Sequence, residues 1–181
     1  MALYHFSYGA NMDVNDLNHR GDRHRRSHVR FLAPTPATLK GFELVNNVYC
    51  PYRESGIFNI IPNPKGVVHG VLHKVPAGDI LSARDLAEGK PNTFKLTTMM
   101  VTSGRGKDVE AGVLLAEIRG KSIFRLSESY FQLIIKAAER HKLPSAWIEH
   151  LKTFPRVPDF TTARRSAGES PVAKRKASSV D

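Results

Sequence analysis

The sequence has a single cysteine and no long apolar run. Cys50 is the one cysteine among 181 residues, so no disulfide can form within the chain, which is typical of a reducing compartment. No apolar segment approaches the roughly 20 residues that a membrane-spanning helix requires. The first residues lack the basic, apolar and small-residue regions of a secretory signal. We therefore expect a cytoplasmic protein that does not span a membrane.

Residue spacings typical of metal or nucleotide binding are also lacking. His69 and His73 are four residues apart, but on a strand that spacing separates them by about 13 Å, too far to chelate one ion. The segment "SGRGK" at 103–107 has glycines and a lysine without the complete phosphate-loop spacing, and it is better explained as a hairpin turn. These two segments therefore predict neither a metal site nor a phosphate-binding loop.

Acidic residues are outnumbered, with 17 Asp and Glu against 27 Lys and Arg and a net charge of +10. Much of the excess lies at 19–30 and 164–181. Neither segment contains the base-stacking aromatics of an RNA-binding surface, so we do not expect nucleic acid to be the main partner. The second segment is poor in large apolar side chains. The sequence predicts one domain over residues 1–160 and a basic disordered tail over 161–181.

The first half of the chain predicts short strands and one helix. Residues 3–8 are apolar enough for a strand, and 11–20 predict a short helix with Asp13 as its N-cap. Residues 56–62 and 66–75 are rich in β-branched side chains and flank the sequence "NPK". We expect these two segments to form a hairpin around that bend.

The second half adds helices and another hairpin. Residues 77–89 have helical spacing and end at a glycine, and 94–102 with 108–118 predict a hairpin. Two further helices are predicted at 128–142 and 144–154. Hairpin-linked strands outnumber the helices. The fold class expected is therefore α+β, with a small mixed or antiparallel β-barrel and helices packed outside it.

Glu88 is a candidate acid/base residue because it falls at the C-terminal end of a predicted helix. The negative pole of the helix is unfavourable for a carboxylate, so the pKa of Glu88 should be raised. A raised pKa suits a group that accepts and returns protons near neutral pH. A solvated glutamate beside a helix cap is the alternative interpretation.

Four segments in order resemble the γ-glutamylcyclotransferase-like family. "YHFSYGANM" is similar to the strand and Tyr-Gly-Ser-Asn loop of that family, and "GVVHGVLHKV" to its Val-x-Gly-Val strand. "DLAEG" resembles the segment that carries the family's catalytic glutamate. "SYFQLIIKAAERHKLPSAWIEHLKTF" is similar to its C-terminal helices. The resemblance covers residues 3–154, and it implies the same barrel.

The resemblance also implies an activity and a set of site residues. The family's reaction converts a γ-glutamyl amino acid or γ-glutamylamine to 5-oxoproline and a free amine, without a cofactor, by intramolecular attack of the α-amino group. The small-molecule γ-glutamyl substrate would be its partner. Glu88 would be the catalytic residue. The implied substrate-binding residues are Tyr8, Gly9, Ala10, Asn11 and Tyr130.

Two positions depart from the family pattern. Ala10 stands where the family usually has serine, and Phe94 stands near a position that is often tyrosine, so two hydroxyl groups are absent. These changes leave a second hypothesis open. The protein would then be a non-catalytic binding module of the same fold that engages an acidic partner through its basic segments.

Overall fold

Five strands of the chain close into a small barrel. The protein is described by a computed structural model that covers residues 3–23, 28–76, 79, 94–117 and 123–159. The barrel strands are β1 (Leu3–Ser7), β2 (Leu32–Cys50), β3 (Ser55–Val75), β4 (Phe94–Ser103) and β5 (Asp108–Ala116). They are arranged in the order β1-β5-β4-β2-β3, and β3 pairs back with β1. Only the β1–β5 pair in this ring is parallel. The expected mixed α+β barrel is confirmed.

Helices and two short strands complete the described part of the chain. A 3₁₀ turn (Ala10–Met12) is followed by α1 (Val14–Arg23), and the later helices are α2 (Glu128–Arg140) and α3 (Ser145–Lys152). The short strands β6 (Leu126–Ser127) and β7 (Arg156–Val157) extend the sheet beyond β3 in parallel. These bounds confirm the three helices predicted near 11–20, 128–142 and 144–154.

Asp13 caps α1 as predicted. Its Oδ1 accepts hydrogen bonds from the backbone N–H groups of Asn15 at 2.9 Å and Asp16 at 3.3 Å. These N–H groups belong to the first turn of the helix and have no partner within it. The cap fixes where α1 begins, directly after the 3₁₀ turn.

The hairpin of β4 and β5 is confirmed, with the glycine-containing segment 103–107 as its turn. The hairpin predicted for 56–62 and 66–75 is wrong. Those residues belong to one strand, β3, whose antiparallel partner is β2. The "NPK" bend forms an irregularity in that strand, because residues 63–66 lie opposite Gly41 alone. Gly41 has a φ of +83°, which a residue with a side chain rarely adopts.

The helix predicted at 77–89 and the tail predicted at 161–181 lie outside the described residues, apart from Asp79. Within the described ranges, no helix is both long and apolar enough to cross a membrane.

Gly70 lets β3 approach the end of β1 closely. A Cβ at this position would collide with the backbone oxygen of Ser7 and would lie 2.8 Å from Cζ of Phe6. Since Ser7 is the last residue of β1, we expect Gly70→Ala to push that strand away and to lower the free energy of unfolding by about 2–3 kcal/mol.

Urea unfolding of Gly70→Ala tests this expectation, with Gly9→Ala as the control. A Cβ on Gly9 would meet only ordinary contacts, 3.4 Å from the Tyr130 hydroxyl oxygen and 3.9 Å from Cβ of Phe58. The control should therefore unfold at nearly the wild-type urea concentration. Equal stability of the two variants would contradict the close approach at Gly70.

Candidate functional site

A pocket lies at the end of β1, beside the turn that follows this strand. Its cavity volume is about 50 Å³, and about 400 Å³ when the solvent space of its open mouth is included. All the substrate-binding residues suggested by the resemblance line it, although α2 lies far along the chain from the turn. The lining residues are His5, Phe6, Ser7, Tyr8, Gly9, Ala10, Asn11, Ile57, Phe58, Phe94, Leu114 and Tyr130.

The turn at 9–11 offers backbone N–H groups at the pocket. The carbonyl oxygens of Gly9 and Ala10 accept hydrogen bonds of 3.0 Å from the N–H groups of Met12 and Asp13. The N–H groups of Gly9, Ala10 and Asn11 donate to no other residue in the part of the chain that the structure describes. Three neighbouring N–H groups of this kind are available to a negatively charged oxygen.

Tyr130 reaches the pocket from the first turn of α2. The hydroxyl of Ser127 caps this helix by accepting the N–H of Tyr130 at 3.4 Å. Tyr130 is buried, and its hydroxyl oxygen accepts a hydrogen bond of 3.1 Å from the backbone N–H of Phe58 in β3. This bond fixes the hydroxyl next to Gly9, where a Cβ would be only 3.4 Å away.

Tyr8 lines the pocket, while its hydroxyl is bonded to another strand. The hydroxyl donates a hydrogen bond of 2.5 Å to the backbone oxygen of Leu114 in β5. Burial raises the pKa of Tyr8, and the nearby Tyr130 raises it further, so the side chain stays neutral. Because its O–H is already donated to Leu114, Tyr8 does not offer that hydrogen to a ligand.

The turn is anchored to the far end of α2. Arg140 in the last turn of that helix forms an ion pair of 2.9 Å with Asp13. Nε2 of His141 lies 3.0 Å from the backbone oxygen of Met12, the distance of a hydrogen bond that the ring donates. Tyr130 and the turn at 9–11 are therefore held relative to each other by one rigid helix.

Both departures from the family pattern lie in the pocket. Ala10 is 6 % exposed and begins the 3₁₀ turn, and Phe94 begins β4 opposite Ala116. The described lining contains no carboxylate. Glu88 lies outside the described residues, and Phe94 is the first described residue after it.

Residues 5–131 match the family model described as gamma-glutamyl cyclotransferase, AIG2-like. The chain belongs to this family. The matched range contains the pocket residues from both the turn and α2, so the site described above lies within the family domain.

Solved structures show the same fold. A structure titled gamma-glutamyl cyclotransferase matches with a TM-score of 0.72 at 21 % identity, over 87 % of this chain and 90 % of that one. An uncharacterized protein from Homo sapiens matches with a TM-score of 0.70 at 20 % identity, over 86 % and 89 %. A yeast gamma-glutamyl cyclotransferase specific to glutathione matches with a TM-score of 0.52 at 11 % identity, over 83 % and 93 %. A search of curated protein sequences found no match.

This protein also has a cluster of charged side chains behind the pocket, which was not predicted from the sequence. Asp16 accepts hydrogen bonds from Nε of Arg20 at 3.1 Å and from Nη2 of Arg53 at 2.9 Å. The side chains of both arginines are at most 10 % exposed. Asp16 and Arg20 are four residues apart on α1, which is a recognisable pairing signal. No comparable signal marks Arg53, which joins them from the turn between β2 and β3.

Two buried histidines lie side by side on β1 and β3. His5 and His73 are register partners, and the ring of Phe31 lies over both, 5.2 Å and 4.5 Å away between ring centres. Burial lowers the pKa of His5 to about 4, although a hydrogen bond of 2.9 Å between Nδ1 and the backbone oxygen of Gly112 opposes the shift. Burial, with His5 and His141 nearby, lowers the pKa of His73 to about 3. Both rings are therefore neutral at pH 7.

The described residues include no group of three or more His, Cys, Asp or Glu side chains placed to hold a metal ion.

Proposed function

We propose that this protein is a γ-glutamylcyclotransferase that converts a γ-glutamyl amino acid or γ-glutamylamine to 5-oxoproline and a free amine. The observation that carries the proposal is the pocket in a member of this family: it is lined by residues 8–11 and Tyr130, and the turn at 9–11 has backbone N–H groups that donate to none of the described residues. A pocket lined by both backbone donors and apolar side chains suits a small substrate with a charged end and a reacting carbonyl.

The reaction uses a nucleophile that the substrate carries. The α-amino nitrogen attacks the γ-carbonyl carbon, and a C–N bond forms that closes a five-membered lactam. The bond from the same carbon to the departing nitrogen then breaks, and one proton moves from the attacking nitrogen to the departing one. No water or cofactor enters the balance. The protein has to bend the glutamyl group, move that proton and stabilise the transient negative charge on the carbonyl oxygen.

Glu88 is the residue to which we assign the proton transfer. Its carboxylate would accept the proton from the α-amino nitrogen and deliver it to the departing amine. One group can do both because the two nitrogens are bonded to the same carbon in the tetrahedral intermediate. A pKa raised toward neutrality by a helix C-terminus would favour both steps.

The turn at 9–11 would supply the hydrogen-bond donors. Its three neighbouring N–H groups could donate hydrogen bonds to a carboxylate or to the developing oxyanion, and one well-placed donor of this kind is worth about 100- to 1,000-fold in rate. Since these donors belong to the backbone, the change from serine to Ala10 leaves them in place. Tyr130 would line the glutamyl site, with its ring held by the hydrogen bond from Phe58.

Incubation with three classes of γ-glutamyl compound tests the proposal. We expect purified protein to release 5-oxoproline from at least one of γ-glutamyl-alanine, a γ-glutamylamine and glutathione. Consumption of none of them would contradict the proposal. Tight, salt-sensitive binding to an anionic polymer in that case would support the non-catalytic binding module instead.

A further inference from the structure

The side chain of Asn11 is fixed by a buried arginine behind the pocket. Nη2 of Arg20 donates a hydrogen bond of 2.9 Å to Oδ1 of Asn11. A guanidinium group can only donate hydrogen bonds, so the amide oxygen of Asn11, and not its nitrogen, has to face Arg20. This contact sets the orientation of the amide, which would otherwise be free to exchange its oxygen and nitrogen by rotation.

In this orientation the amide nitrogen of Asn11 is available to donate hydrogen bonds to a ligand in the pocket. Asn11 lines the pocket, and its Nδ2 donates to none of the residues that the structure describes. Its two N–H bonds add to the backbone donors of Gly9 and Ala10 in the same turn. A cluster made only of donors favours an anionic ligand with more than one oxygen, and a carboxylate has that chemistry.

Asp16 in turn holds Arg20 in place. Its carboxylate accepts a hydrogen bond of 3.1 Å from Nε of Arg20. Both of its oxygens also accept hydrogen bonds from Nη2 of Arg53, at 2.9 and 3.2 Å. The guanidinium carbon of Arg53 lies 5.0 Å from the centre of the Tyr130 ring. Asp16 thus connects the arginine behind Asn11 with the arginine that covers Tyr130. Asn11 and Tyr130 are the two pocket residues that this cluster supports from behind.

We propose that Arg20 is a positioning residue, which turns the N–H donors of the Asn11 amide toward the pocket so that they bind the α-carboxylate of the γ-glutamyl group. The identity of this carboxylate rests on the proposed function. Arg20 acts through Asn11 and does not need to touch the substrate. Its buried ion pair with Asp16 keeps the amide oriented before a ligand arrives, so no orientation has to be selected on binding.

Asn11→Asp separates this role from a structural one. Aspartate has nearly the same shape and keeps an oxygen for Arg20, so we expect the protein to remain folded with an unchanged or higher melting temperature. The donors are lost, and a second carboxylate faces that of the substrate. We expect KM to rise by about 10- to 100-fold, because a hydrogen bond to a charged group is lost, and kcat to change by less.

The matched control is Asn15→Asp. Asn15 is exposed on α1, so this variant carries the same chemical change and the same added charge away from the pocket. Its KM should equal that of the wild type. A purely structural Asn11 predicts that Asn11→Asp also leaves KM unchanged, and that result would overturn the inference.

Calorimetric titration with 5-oxoproline and with its carboxamide measures carboxylate recognition without turnover. We expect the wild type to prefer the carboxylate, and Asn11→Asp and Arg20→Met each to lose at least about tenfold of that preference. An unchanged preference in Asn11→Asp, or none in the wild type, would contradict the inference. Asn11→Asp tests whether the amide donors bind the carboxylate. A folded Arg20→Met variant that keeps the wild-type preference would contradict the positioning role of Arg20. The proposed function is tested separately, by turnover: a wild type that releases no 5-oxoproline from any γ-glutamyl compound contradicts it. The calorimetry measures binding alone.

Discussion

Replacement of Glu88 by glutamine is expected to lower kcat/KM for 5-oxoproline release by about 1,000-fold, within the range that a general acid/base residue contributes. Glutamine has nearly the same shape and hydrogen-bonding reach, but it cannot accept the proton of the α-amino group or return it to the departing amine. Substrate binding through the turn at 9–11 should persist, so the loss should fall on kcat more than on KM.

The control for this variant is Glu117→Gln. Glu117 is exposed and pairs with Lys95 at 2.6 Å, on the opposite edge of the β4–β5 hairpin from its turn. Loss of an exposed ion pair changes stability by less than about 1 kcal/mol, and activity should be unchanged. Turnover by Glu88→Gln at the Glu117→Gln rate would remove Glu88 from the mechanism, and the acid/base group would have to be sought elsewhere.

The free energy of unfolding is expected to fall as the pH is lowered from about 6.5 toward 4, because of His5 and His73. In the unfolded chain both rings bind protons below their ordinary pKa of 6.5, whereas in the folded protein they remain neutral until the pH approaches about 4 for His5 and about 3 for His73. The unfolded state therefore binds more protons in this window, and acid favours it. Each ring contributes up to about 1.4 kcal/mol per pH unit.

Urea unfolding at pH 7 and pH 4.5 measures this effect. We expect stability to be about 3–5 kcal/mol lower at pH 4.5. His73→Leu should remove about half of the difference, since one of the two titrating rings is gone. His150→Leu is the matched control, because His150 is exposed on α3, and it should keep the wild-type pH dependence. Equal stability of the wild type at the two pH values would show that the two rings are not held neutral by the fold.

The barrel could be predicted from the sequence, but strand β2 could not. Residues 32–50 contain Pro34, Pro36 and Gly41, which locally indicate turns, yet they form β2. The structure accommodates them through register shifts near Leu32, Gly41 and Asn46, where β2 bends against β3. Pairing along the whole of β3 outweighs these local preferences. The same pairing explains why the "NPK" bend did not reverse the chain.

The pocket could be anticipated only in part. Residues 8–11 and Tyr130 were suggested by family resemblance, and the structure brings them to one pocket. The family resemblance did not suggest the cluster of Asp16, Arg20 and Arg53. Arg53 reaches Asp16 because the β2–β3 hairpin returns its turn to α1, and a contact of that kind depends on the register of two long strands and not on local sequence.

An isotope experiment tests the central claim most directly. A γ-glutamyl-alanine or γ-glutamylamine substrate labelled with ¹⁵N at the α-amino group would be followed by NMR during turnover, with Glu88→Gln as the inactive control. Intramolecular attack predicts that all of the label appears in the ring nitrogen of 5-oxoproline and that the released amine is unlabelled. Formation of labelled free glutamate would instead indicate attack by water, and it would contradict the assignment of this protein as a cyclotransferase.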